Sequence, residues 1–224
     1  MKTTDTKPLV RIENLTWGYD GQRMLFHEFD FHLNRGEFCF VVGKSGSGKT
    51  SLMKIITGQI TPPTHTVYLQ DDDVARLKDD ELQALRRRLW VVYQDYKLLS
   101  DRSVHENIVL PLLLQDMHEK DAEDRVKLLV KQFDFEHHLH HKVSLLSGWE
   151  KQKVAIMRAL VTTPQCLFAD EPTGNLDWAA TTMIADMLVQ ANQQWHTILC
   201  ITHDTNLIAY VQEKLAGVRV VEIV

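Results

Sequence analysis

The sequence has no apolar run long enough to cross a bilayer; the longest, Ile108 to Leu114, is short and interrupted by Pro111. The polar stretch Met1 to Pro8 lacks the apolar core of a secretory signal. Cysteine is scarce, and Cys39, Cys166 and Cys200 each sit inside an apolar, strand-like run. That placement excludes a disulfide framework and fits small core residues in a reducing compartment. Basic excess is lacking as well: the net charge is -5, so bulk electrostatic attraction to nucleic acid is not expected. No internal repeat, low-complexity tract or Gly/Ser linker separates modules. Together these absences lead to a soluble, cytosolic chain that can dock on a membrane protein without entering the membrane.

What is present suits one large domain with a lobe inserted, since 224 residues can bury a substantial core. Apolar strand candidates recur at Phe38–Val42, Leu89–Tyr93, Cys166–Asp170, Thr197–Thr202 and Val218–Ile223, with helix-patterned segments between several of them. This alternation predicts an α/β domain with a largely parallel sheet. An earlier run, Val10–Leu15, leads into the turn-like Trp17-Gly18-Tyr19-Asp20-Gly21 and predicts an antiparallel flank. Between Ser100 and Leu145 strand candidates are weak, whereas Val126, Leu129, Val130 and Phe133 recur at helical spacing over Asp121–Phe133. The expected organisation is a single domain over 1–224, with a core lobe of about 1–99 and 160–224 around a helical subdomain of about 100–159.

Gly43-Lys44-Ser45-Gly46-Ser47-Gly48-Lys49-Thr50 follows one of these strands and precedes a helical run from Ser51 to Ile56 that stops at Gly58. In that strand–loop–helix setting glycines let backbone N–H groups turn inward around phosphates at a helix N-terminus. Lys49 can reach the terminal phosphate oxygens and the Thr50 hydroxyl can ligate Mg²⁺. Far downstream, Cys166-Leu167-Phe168-Ala169-Asp170-Glu171 reads as a buried strand ending in two acids. Asp170 can hold Mg²⁺ through water, and Glu171 can polarise an attacking water as the catalytic base.

About twenty residues before those acids lies Leu145-Leu146-Ser147-Gly148-Trp149-Glu150, followed by Arg158-Ala159-Leu160. With the phosphate loop, this order of motifs resembles the ATP-binding cassette (ABC) ATPase family over essentially the whole chain. The resemblance implies the ABC form of the P-loop fold, with ATP and Mg²⁺ as cofactors. It implies further that Gln94 senses Mg²⁺ and the γ-phosphate, that His203 orients the attacking water, and that Tyr19 stacks on adenine, with Trp17 as a competitor. Ser147 and Gly148 would cap the γ-phosphate held by a second copy, and Asp177, in Asn175-Leu176-Asp177, would cross a homodimer interface in which ATP is sandwiched.

Trp149 departs from the family pattern, which has glycine there. A glycine permits φ > 0 and close approach to phosphate. Either the indole weakens dimer closure or slows turnover, even to the point of leaving a nucleotide-binding scaffold, or it begins the signature helix in ordinary geometry with its ring outward. The sequence leaves both readings open.

Two further clusters have plainer readings. Glu136-His137-His138-Leu139-His140-His141 places His137 and His141 four apart, as on one helix face, but no cysteine or distant carboxylate completes a metal site. Arg86-Arg87-Arg88 reads as a solvated helix end.

Within the family, the run from Tyr93 through Asn107, the segment Val74-Ala75-Arg76-Leu77-Lys78 and the stretch Thr202-His203-Asp204-Thr205-Asn206-Leu207-Ile208 are similar to the branch that serves bacterial cell division. That similarity implies an integral membrane partner touching the region from Gln94 to Arg102, a place on the cytoplasmic face of the inner membrane, and activation of cell-wall hydrolysis. The branches that export lipoproteins or drugs share most of these features.

Overall fold

The computed structural model describes residues 7–19 and 23–223. The N-terminal residues 1–6 and the expected turn residues Asp20 and Gly21 lie outside the described residues.

The antiparallel flank begins with β1 (Val10–Tyr19) and β2 (Arg23–Leu33), which run antiparallel from Val10 opposite Leu33 to Tyr19 opposite Arg23. Strand β2 is not among the expected strands. Its apolar side chains Phe26, Phe31 and Leu33 are buried, but the register slips near Leu15 and Glu28 has φ 49. A bulge of this kind breaks the strict alternation by which a half-buried strand is recognised. The chain then enters β3 (Phe38–Gly43), the phosphate loop and α1 (Lys49–Ile56), which starts two residues earlier than expected. Short strands β4 (Val67–Leu69) and β5 (Asp72–Asp73) complete the flank in the order β2-β1-β4-β5.

Helix α2 (Asp79–Arg88) leads into β6 (Leu89–Val92). Its last turn is not simply solvated, as the sequence suggests. Arg86 donates from Nε to the Thr57 carbonyl (3.1 Å) and from Nη2 to the Gly58 carbonyl (2.7 Å). It thereby satisfies acceptors that the end of α1 leaves open. Three helices follow: α3 (Val104–Leu113), α4 (Glu119–Gln132) and α5 (Gly148–Leu160). Ser103 and Glu106 close the start of α3 reciprocally, each bonding the other's backbone N–H. The chain returns to the sheet as β7 (Cys166–Asp170), α6 (Trp178–Gln193), β8 (Thr197–Ile201), α7 (Thr205–Lys214) and β9 (Arg219–Ile223).

The second sheet is wholly parallel, in the order β6-β7-β8-β3-β9. Successive residues of its inner strands face opposite sides, so Phe40, Leu167, Ile198 and Cys200 enter one apolar cluster and Cys39, Val41, Phe168 and Ile201 the other. The first cluster continues into α3, α4 and α5 through Ile108, Val126 and Ile156. The second fills the space between the two sheets and α1 through Leu15, Phe26 and Ile55. All three cysteines are free and fully buried. Burial pushes the Cys39 thiol up to about 12 and the Cys166 and Cys200 thiols up as well, so they serve packing rather than reactivity.

Candidate functional site

Every parallel strand delivers its C-terminal end to one edge of the sheet, where ligand sites of open α/β folds collect. A cavity of about 630 Å³ opens there. At its floor the phosphate loop turns so tightly that Gly43 is obligatory: a Cβ there would stand 2.5 Å from the Ile223 carbonyl oxygen and 2.6 Å from the Ser47 hydroxyl. Gly48, with φ 102, caps α1, and a Cβ on it would press within 3.1 Å of the Phe26 ring. The Lys49 ammonium is drawn back over the loop, donating to the carbonyls of Gly43 (2.8 Å) and Lys44 (2.9 Å). Ser47 Oγ is buried with no hydrogen-bond partner. Ser47 is not among the residues lining the cavity, but the lysine and the free N–H groups of a helix start make a donor-rich cradle for phosphate oxygens.

Thr50 and Asp170 are 120 residues apart in sequence, yet the Thr50 hydroxyl lies 3.1 Å from Asp170 Oδ2 and 3.4 Å from Oδ1. Hard oxygen donors of this kind, meeting beside a phosphate cradle, fit Mg²⁺. Burial raises the Asp170 pKa, opposed by the Thr50 hydrogen bond and aided by the neighbouring Glu171 charge. Glu171 itself has left-handed backbone, φ 47, and its N–H is held by the Ile201 carbonyl at 2.9 Å. Its carboxylate lies 2.8 Å from His203 Nδ1 and accepts from the Thr202 hydroxyl at 3.3 Å. Non-glycine residues in this conformation persist where the surroundings hold them, a common feature of functional sites.

Gln94, just beyond β6, and Tyr19, at the end of β1, line the same cavity, with Lys44, Ser45, Gly46 and Ser51 of the phosphate loop and the first turn of α1. Tyr19 is 48% exposed and its hydroxyl lies 3.1 Å from Ser51 Oγ. Trp17 meets the Tyr19 ring edge-on, with centroids 4.7 Å apart, and is not part of the cavity wall. Leu25 and Ile201 also line the cavity. Neither was singled out from the sequence, Leu25 because it belongs to the unrecognised strand β2.

Ser147, Gly148 and Asp177 lie elsewhere. Helix α5 begins at Gly148 rather than Lys151, with Ser147 as its cap. The Glu150 carboxylate accepts from the Ser147 N–H at 2.7 Å and from its hydroxyl. Burial raises the Glu150 pKa, but the Ser147 hydrogen bonds and the charges of His138 and His141 together bring it below the ordinary value. Asp177 caps α6, accepting from the Ala180 N–H at 2.8 Å.

Trp149 stands in the first turn of α5 and is not among the residues with positive φ. Its ring does not point outward; it is half-buried against the apolar cluster shared by the helices and the sheet. The histidine run is no helix face either. Glu136–His138 is a single 3₁₀ turn, His138 stacks on Phe135 with centroids 4.6 Å apart, and its Nε2 lies 3.5 Å from Glu150. Among the described residues no group of three or more His, Cys, Asp or Glu is arranged to hold a metal.

Comparison with known proteins agrees with this geometry. The ABC transporter family model matches residues 26–174. The cell division ATP-binding protein FtsE of Haemophilus influenzae is 38% identical over 89% of this chain and 92% of its own. The lipoprotein-releasing system ATP-binding protein LolD of Hydrogenovibrio crunogenus is 40% identical over 80% of this chain and 79% of its own. Among solved structures, the dimeric post-hydrolysis state of the ATP-binding cassette MJ0796, bound to ADP and Pi, superposes with a TM-score of 0.82 at 30% identity, covering 96% of this chain and 94% of that one. Among the described residues no helix is long and apolar enough to cross a membrane. Family match, relatives of nearly equal length and a shared fold lead to one conclusion: the chain belongs to the ABC transporter family, as an ABC ATPase cassette of the kind represented by FtsE.

Proposed function

We propose that this chain hydrolyses ATP as a homodimer and drives an integral membrane partner of FtsX type in bacterial cell division, coupling its cycle to cell-wall hydrolysis outside the membrane. The observation that carries the reading is a division of the site. One chain gathers the phosphate loop, Asp170, Glu171, Gln94 and His203 in one cavity, while Ser147 and Gly148 cap a helix outside it. Such a helix start offers free N–H groups and a positive dipole end to an anion, so a second copy supplies what the first lacks.

In this scheme the phosphate loop and Lys49 bind the triphosphate, Tyr19 offers a ring face to the base, and Thr50 with Asp170 holds Mg²⁺. The metal, when bound, neutralises charge on the phosphate oxygens. Glu171, positioned by its left-handed backbone and by His203, takes a proton from the attacking water, and Gln94 and His203 orient that water toward the γ-phosphate. Closure stores the binding energy of two ATP molecules only to the extent that ATP binds the closed dimer more tightly than the open one. Hydrolysis then resets the dimer, with the membrane partner setting the rate.

A groove of about 260 Å³ beside Gln94, lined by Thr57, Gln59, Arg86, Trp90 and Tyr93, supports docking of that partner on the cytoplasmic face of the membrane. An exporter role is the second reading, beside the lipoprotein-releasing system that the name of LolD gives for that relative. The deciding experiment is a pull-down from solubilised membranes with the Glu171→Gln variant and ATP. Capture of a membrane protein with a large extracytoplasmic loop, together with its hydrolase activators, is the expected result; a substrate-translocating permease would establish the exporter, and a variant that hydrolyses ATP at the native rate would remove Glu171 as the base.

A further inference from the structure

The histidine-rich loop between α4 and α5 is pinned where it approaches the start of α5. The His105 N–H donates to the Leu139 carbonyl at 2.9 Å and the Val104 N–H to the His141 carbonyl at 3.0 Å, so the first turn of α3 holds the loop in place. Within the loop the His138 ring stacks on Phe135, and His141 meets it edge-on with centroids 5.3 Å apart. His138 Nε2 stands 3.5 Å from Glu150 Oε1 on α5, with the two side chains only 33% and 16% exposed. A pair so placed is screened less by salt than an exposed one.

The other oxygen of the same carboxylate is occupied. Glu150 Oε2 accepts from the Ser147 N–H at 2.7 Å and from the Ser147 hydroxyl at 2.5 Å. A hydroxyl has a single proton to give, so while Ser147 donates to Glu150 it cannot donate to a phosphate. Burial pushes the Glu150 pKa up, but the Ser147 hydrogen bonds and the charges of His138 and His141 outweigh it. Glu150 is therefore ionised when a neighbouring imidazole takes up a proton. An ionised carboxylate only accepts, so the neutral His138 ring carries its proton on Nε2 and leaves Nδ1, buried and without a hydrogen-bond partner, bare. A second proton goes to Nδ1, where no acceptor waits, and the new charge is compensated by Glu150. The other charges near the pair are the Lys153 ammonium of α5, 5.0 Å from the Phe135 ring centroid, and Asp134 and Glu136, which act on it. On α3, His105 is engaged with Glu123 of α4 at 2.8 Å.

We propose that His138 is a positioning residue for Ser147: its protonation draws the Glu150 carboxylate toward the imidazolium and releases the Ser147 hydroxyl to the γ-phosphate held by a second copy. The inference rests on the reading that Ser147 and Gly148 complete the site of that second copy. The added positive charge acts in the same direction, since it stands near the helix start where the phosphate arrives. ATP-driven pairing of two chains should thus tighten on acidification.

The test measures dimerisation of the Glu171→Gln chain with Mg-ATP at about pH 8 and about pH 6, with His138 native, replaced by Gln or replaced by Arg. Relative to His138→Gln, which shares the titration of His203 and of ATP itself, the native residue should add about threefold or more tightening at the lower pH. His138→Arg, whose guanidinium stays charged and can stack on Phe135, should pair tightly at both. An equal pH response in the native and His138→Gln chains, or a His138→Arg chain that behaves as His138→Gln does, would overturn the inference. So would a His141→Gln chain that loses more of the response than His138→Gln. A Glu171→Gln chain that stays monomeric with Mg-ATP at both pH values removes the parent reading, and the inference with it. If His138→Gln does not fold, Glu150→Gln serves instead, because glutamine keeps the cap at the start of α5 but carries no charge. The response should vanish with that charge, and a response of native size would overturn the role of His138.

Discussion

Nδ1 of His203 lies 2.8 Å from Oε1 of Glu171, each residue following the C-terminal end of one of two neighbouring parallel strands. An ionised carboxylate only accepts, so the imidazole donates from Nδ1 and, when neutral, keeps Nε2 as its acceptor. The pair thus orients the Glu171 carboxylate and fixes the tautomer of its neighbour.

Removing the imidazole in His203→Ala should lower ATP turnover by about a hundredfold, within the range that a positioned proton-transfer group supplies. Nucleotide affinity should change little, because Lys49 and the phosphate loop make no bond to His203. Steady-state phosphate release and an equilibrium titration with labelled nucleotide measure the two effects separately.

The raised pKa of Asp170 gives a pH and metal dependence with a definite sign. A carboxyl whose folded pKa exceeds its unfolded one favours folding while protonated, and this contribution is lost as pH rises from the ordinary carboxylate range through the raised value. Metal-free protein should therefore lose stability over that acid window, and Mg²⁺ with nucleotide should restore it. Asp170→Asn should lose less stability than the native chain across the window when metal-free, and should lose turnover. Thermal melts across pH, with and without Mg²⁺, make the comparison.

At Tyr19 the open ring face is the element that matters. Tyr19→Ala should weaken ATP binding about tenfold, the scale of one aromatic stacking contact, whereas Tyr19→Phe, which loses only the hydroxyl near Ser51, should stay within about twofold. Replacing Trp17, which stands behind Tyr19 edge-on, should have a smaller effect than replacing Tyr19. Binding isotherms of the four proteins test the order.

Trp149 sits in ordinary helical backbone with its ring half-buried, so glycine there relieves no strain and removes both packing and helix propensity. Trp149→Gly should melt about 5 °C lower or more and should not hydrolyse ATP faster than the native chain at 25 °C. A faster variant would revive the view that the indole restrains the dimer cycle.

Local chemistry was readable in the chain wherever a motif carries its own reason. Glycines spaced around Lys49 and Thr50, two acids ending an apolar strand, and a serine-glycine pair ahead of an amphipathic helix each announce a strand end or a helix start. The parallel strands were legible for the same reason, since strands buried on both faces read as continuous apolar runs. Strand β2 was not, because a bulge at Glu28 disrupts its alternation. The two hydrogen bonds from the Arg158 guanidinium to the Tyr96 and Lys97 carbonyls left no trace either, since backbone carbonyls carry no residue identity.

The sequence by itself determined that this chain is an ABC cassette: local spacing dictates which backbone N–H groups and side chains stand at each strand end. Tertiary structure alone decided how those ends meet. The order β6-β7-β8-β3-β9 sets β3 and β7 on either side of β8, which brings Thr50 to Asp170 and Glu171 to His203. It also decided that Trp149 is a packing residue rather than a strained one, and that Arg158 of α5 donates to the Tyr96 and Lys97 carbonyls just past Gln94. Such contacts join segments tens of residues or more apart, and only the packing of the sheet and helices around a common core fixes their distance.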